Sequence, residues 1–141
     1  MNTTFEDRSH RFTLDADLSS RLAETPTHET EFRFGPEVIL IRPHGPSIDS
    51  RDAAAIVGLV REELEDRRRP VRKLLLDLEA VVSPSSIAIG MLLELDRLAR
   101  GVGATVELAV DSRFREVLQM LRLDSRYTMV RNGRRLANLV R

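Results

Sequence analysis

Residues 74–95, LLLDLEAVVSPSSIAIGMLLEL, constrain the fold more than any other stretch of the chain. A short apolar run reads as a buried strand. It breaks at Ser83-Pro84-Ser85-Ser86, and an amphipathic helix follows at once. Ser85 and Ser86 therefore stand where a strand ends and a helix begins. Such a junction suits an N-cap, a bound anion or a phosphorylation switch. All three remain open at this stage.

The surrounding pattern repeats that unit. Residues 31–34 and 38–43 read as strands separated by the turn pair Gly35-Pro36. Asp49 or Ser50 can cap a helix to about Asp66, with Ile56, Val57, Val60 and Leu64 on one face. Pro70 closes the segment, because proline cannot continue the hydrogen-bond ladder. Residues 73–78 are nearly all apolar, the mark of a central strand covered on both faces. The next helix spans about 86–100, with Met91, Leu95, Leu98 and Val102 inward and Glu94, Arg97 and Arg100 outward. Gly101 and Gly103 punctuate its end. A strand at 105–110 and a helix at 112–121 follow, the latter carrying Phe114, Val117, Leu118 and Leu121 on one face. A short strand at 127–130 and a last helix at 132–139 complete the reading.

This β-β-α-β-α-β-α-β-α order predicts an α/β fold: one domain with a mainly parallel mixed sheet of about four to five strands and helices packed against it. A length of 141 residues fits one domain, here residues 31–141. Residues 1–30 are polar and read as an N-terminal extension, either disordered or forming a short helix around 14–22 through Leu14, Leu18 and Leu22.

Composition excludes several classes of function. The absence of Cys removes disulfides and thiolate metal sites, and His10, His28 and His44 have no ligand spacing. No metal or other cofactor is expected. Basic and acidic residues balance at 22 each, which argues against a nucleic-acid partner that works by neutralising phosphates. No apolar run is long enough to span a bilayer, and no basic-then-apolar signal opens the chain. A cytoplasmic protein without a membrane partner is the expectation. Nucleotide-binding and hydrolase signatures are missing, and no spacing places His44 as a base for Ser86, so an enzyme is not expected. Gly90 lies inside the helix, where glycine costs about 1 kcal/mol against alanine. Close packing against the sheet or a partner is the reading that explains it.

The pieces VILIRPHGPSID, LLLDLEAVV, SSIAIGMLLEL and RGVGATVELAVDSRFREVLQMLRLD, taken in order, resemble a STAS domain, the family of bacterial anti-sigma factor antagonists. The resemblance covers residues 38–123, about two-thirds of the chain. In that family a strand ending in L-D-L is followed by D-S-S-G-L-G and a helix. Counting from Leu76-Asp77-Leu78 aligns Ser86 with the family's phosphorylated serine. Ser85, Ile87 and Ala88 replace its Asp, second Ser and Gly. Asp49 resembles the acid after the early glycine, at a spacing one residue longer.

The resemblance implies a non-enzymatic regulatory module. Its partner would be an anti-sigma factor serine kinase or a related regulator. Phosphorylation at Ser86, or at Ser85, would switch binding. The partner surface would include Asp49, Pro84, Ser85, Ser86, Ile87 and Ile89. The alternative is a constitutive adaptor, as a homodimer or a subunit of a larger complex. A small serine hydrolase built on Ser86 is the third and weakest reading.

Overall fold

The computed structural model describes residues 10–11, 29–66 and 70–130. The strands are β1 (His10–Arg11), β2 (Thr30–Gly35), β3 (Val38–Pro43), β4 (Lys73–Asp77), β5 (Thr105–Ala109) and β6 (Thr128–Val130). The helices are α1 (Ser50–Glu65), α2 (Ser86–Gly101) and α3 (Ser112–Met120), with a 3-10 turn at Asp124–Arg126. The sheet order follows the sequence from β1 to β6. β1–β2 and β2–β3 pair antiparallel, and β3–β4, β4–β5 and β5–β6 pair parallel. This is the α/β, mainly parallel mixed sheet that the alternation predicted. The two-residue β1, which the sequence pattern did not reveal, raises the number of strands among the described residues to six. The helices expected near 14–22 and 132–139 lie outside the described residues.

The β2–β3 hairpin turns on Pro36 and Glu37, with Gly35 facing Val38. Proline followed by a residue at φ 65 is the order of a type II turn. The Glu37 carbonyl accepts from Arg72 N at 2.7 Å and Lys73 N at 3.0 Å, which ties the hairpin to the start of β4.

Each parallel step runs in the same direction across the sheet, so right-handed crossovers put every connecting helix on one face. The packing follows that rule. Ile56 and Val60 of α1, Leu92 and Leu95 of α2, and Phe114 and Leu118 of α3 join one core with Phe32, Ile41, Leu74, Leu76 and Leu108. Leu40, Leu75 and Ala109 form a separate cluster on the opposite face. Leu75 is fully buried within β4, which lies between β3 and β5 as its apolar sequence required.

Two helix ends depart from the expected stripes. Val102 is exposed because it is the C-cap of α2, where helical phase no longer applies. Ala104 N donates to Ala99 O at 2.8 Å and Gly103 N to Arg100 O at 3.1 Å, with Gly103 at φ 75. These are the two bonds of a Schellman motif, which needs the left-handed residue that glycine supplies. Leu121 is likewise the exposed C-cap of α3 rather than part of its buried face.

The face opposite the helices is crossed by ion pairs. Arg42 Nε donates to Asp77 Oδ2 at 2.7 Å, and Arg42 Nη1 reaches Glu31 Oε1 at 3.4 Å. Arg33 Nε donates to Glu31 Oε2 at 2.6 Å. Burial pushes the Glu31 carboxyl up. The Arg33 hydrogen bond and the charges of Arg33, Arg42 and His44 outweigh it and hold Glu31 below its ordinary 4.5. A carboxyl depressed in the folded state adds stability above its unfolded pKa and loses it as pH falls through the folded value. Urea midpoints of the Glu31→Gln variant should therefore fall less than those of the wild type on acidification below about pH 4.5.

Candidate functional site

The chain between β4 and α2 is shaped by local hydrogen bonds. Leu78 N donates to Ala109 O at 2.8 Å, Glu79 N to Asp77 Oδ1 at 3.1 Å, and Val81 N to Leu78 O at 2.9 Å. This turn buries Val81 and leaves Val82 exposed. Val82 N and Ser83 N then both donate to the Pro46 carbonyl, at 3.0 and 3.1 Å. The loop before α2 is thereby held against the loop before α1.

Ser85 is the N-cap of α2. Its backbone is extended (φ −74, ψ 163), and its Oγ accepts from Ala88 N at 3.1 Å. Its carbonyl takes the first helical bond, from Ile89 N at 3.0 Å. Ser86 follows at the first helical position. It is exposed, and its hydroxyl makes no hydrogen bond among the described residues. The geometry thus divides the two serines, one occupied in the fold and one facing outward. Ser85→Ala should lower stability by about 1 kcal/mol, the usual cost of losing a side-chain cap, while Ser86→Ala should leave it nearly unchanged. Urea denaturation of both variants distinguishes the two roles.

The other expected contact residues fall in three places. Asp49 caps α1: Asp52 N donates to Asp49 Oδ1 at 2.9 Å, and Asp49 N donates to Asp52 Oδ2 at 3.1 Å, a reciprocal capping box. Pro84 is half-buried beside the Ser85 cap, and Ile87 is 41% exposed on the first turn. Ile89 is not on this surface. Its phase on α2 turns it inward, where it is buried in the main core.

Sequence reasoning missed Val82, and of its two readings of Gly90 the packing against the sheet does not hold. Val82 reads as the end of an apolar run, yet it is 46% exposed beside the serines. Gly90 is exposed, and a Cβ added there would meet nothing within 4 Å. Among the described residues, no close packing requires a glycine at that position. Ser86 and Gly90 are four residues apart, so they share the outward face of α2. The resulting surface has a hydroxyl, two exposed aliphatic side chains and a bare stretch of helix backbone.

Electrostatics favour negative charge here. The first turn of α2 carries no acidic residue, so its free N–H groups and dipole are not offset by a side chain. His44 does not serve these serines: its Nε2 lies 3.6 Å from Glu31 Oε1. Among the described residues, no group of three or more His, Asp or Glu could hold a metal ion, and no helix is long and apolar enough to cross a membrane.

No protein-family model matches the chain, and no curated protein matches it. Among solved structures, it is similar to the NMR structure of the protein TM1081, with a TM-score of 0.62. That likeness covers 77% of this chain and 86% of TM1081 at 17% sequence identity. At that identity it shows a shared fold and nothing about activity.

Proposed function

We propose that this chain is a regulatory protein-interaction domain of the STAS type. It acts in the cytoplasm, without catalysis, and binds an anti-sigma factor serine kinase or a related regulator. The observation that carries the reading is the division of labour at the α2 start. Ser85 holds the cap, so the Ser86 hydroxyl is exposed and can be modified without unmaking the helix. Val82 and Ile87 supply apolar contact area on either side of it.

The mechanism follows from charge. An unmodified Ser86 presents a small neutral group to a partner. Phosphorylation adds about −1.5 to −2 charges at neutral pH. The helix N-terminus tolerates that charge well, so the domain keeps its fold. The partner surface, shaped around a hydroxyl and aliphatic groups, must then desolvate a dianion. Binding is lost while the structure persists.

Exposed Ile87 also suits a standing contact, which is the constitutive-adaptor reading. The test is partner binding by the wild type and by Ser86→Asp, measured by titration calorimetry against the cognate kinase. Loss of affinity in the variant supports the switch. Equal affinity assigns the surface to a constitutive adaptor.

A further inference from the structure

Asp96 is the most deeply buried carboxylate pair-former in α2, with its side chain only 4% exposed. Its two oxygens are divided between two arginines. Arg100 Nε donates to Oδ1 at 3.0 Å, and Arg126 Nη1 donates to Oδ2 at 3.3 Å. Arg100 comes from the last turn of α2, and Arg126 from the 3-10 turn before β6. The buried carboxylate thus brings together two guanidiniums that are 30 or fewer residues from it in sequence but belong to different elements.

Each guanidinium spends a single nitrogen on Asp96. Arg100 keeps both Nη groups and Arg126 keeps Nε and Nη2, and none of these has another partner among the described residues. The Arg100 and Arg126 side chains are 61% and 49% exposed, so these donors face solvent. Two positive charges against one buried negative charge leave the cluster cationic. Tyr127 adds no second anion: burial foremost, then the Asp96 charge, pushes its phenol up to about 12. Its buried hydroxyl has no hydrogen-bond partner among the described residues.

We propose that Arg100 and Arg126 form a binding site for a phosphate monoester, with Asp96 as the positioning residue that orients them. Phosphate is the ligand class that suits two guanidiniums held on the two oxygens of one carboxylate, because it offers three acceptor oxygens and a planar guanidinium can bind two of them side by side. The site is separate from the Ser86 surface. Fourteen residues separate Ser86 from Arg100 along α2, about 21 Å at the helical rise. It therefore stands or falls independently of the switch.

The test is an NMR titration of the full chain with glycerol phosphate and with a phosphoserine peptide, using acetate as control. Saturable shifts at the Arg100 and Arg126 side-chain N–H signals, with at least about tenfold weaker binding by acetate, are expected. The tighter of the two phosphate probes identifies the source as a metabolite or a modified protein. The Arg100→Lys/Arg126→Lys variant keeps the charge facing Asp96 but loses the forks, and should bind at least about tenfold more weakly with its backbone spectrum otherwise preserved. No saturable shift with either phosphate, equal binding of acetate, or unchanged binding by the lysine variant would overturn the proposal.

Discussion

Replacing Asp77 with alanine should lower stability by about 2–4 kcal/mol, a large part of what a domain of this size has to lose. Asp77 has two roles at the end of β4. One oxygen takes Arg42 Nε at 2.7 Å, and the other accepts from Glu79 N at 3.1 Å. The Asp77 and Arg42 side chains are 9% and 21% exposed, so the pair is largely desolvated. Removing Asp77 takes the 2.7 Å partner from the Arg42 guanidinium, which still has Glu31 at 3.4 Å, and takes the side-chain acceptor from Glu79 N; both effects act in the same direction. Asp77→Asn keeps an acceptor for Glu79 N and should lose less. Urea unfolding of the two variants measures the difference. Equal losses would mean that the turn at Glu79 contributes nothing.

Ser86→Asp should lower affinity for the cognate partner by at least about tenfold, because a charge placed in an interface without a counter-charge costs about 2 kcal/mol or more. The same substitution should leave folding intact or raise stability by a few tenths of a kcal/mol, since an acidic side chain on the first turn complements the helix dipole. Loss of binding could not then be assigned to unfolding. Gly90→Ala supplies a companion result with opposed signs. Nothing lies within 4 Å of the added Cβ, so the helix should gain about 0.5–1 kcal/mol. A partner backbone seated on Gly90 would meet that methyl group and bind less tightly. A variant that is more stable and binds as well as the wild type would place the interface elsewhere.

The fold was legible because its signals are local and periodic. The Leu74-Leu75-Leu76 run of β4 marks a central strand, and the stripes on α1 and α2 needed only helical spacing. The errors came where periodicity stops. Val102 and Leu121 continue an apolar stripe on paper, but both are C-caps, past the last helical turn. Ile89 belongs to the expected partner surface only by its nearness in sequence to the serines, whereas its position on α2 turns it into the core.

The serine junction was legible as a place but not as a division of roles. Only backbone geometry could assign the cap to Ser85 and leave Ser86 free. Contacts between distant segments were invisible for a different reason. Arg42 and Asp77 are 35 residues apart, and Asp96 and Arg126 are 30 apart. Each pair depends on strand register or on how a turn docks against a helix, and no sequence spacing encodes either. The bond from Val82 and Ser83 to the Pro46 carbonyl is of the same kind.

Under the proposed function, Ser86 and not Ser85 is the point of regulation. Mass spectrometry of the full chain after incubation with its cognate serine kinase and ATP tests it directly. A single phosphate on Ser86, with Ser85 unmodified, is the predicted result. Phosphate on Ser85 alone, or on neither serine, would contradict it.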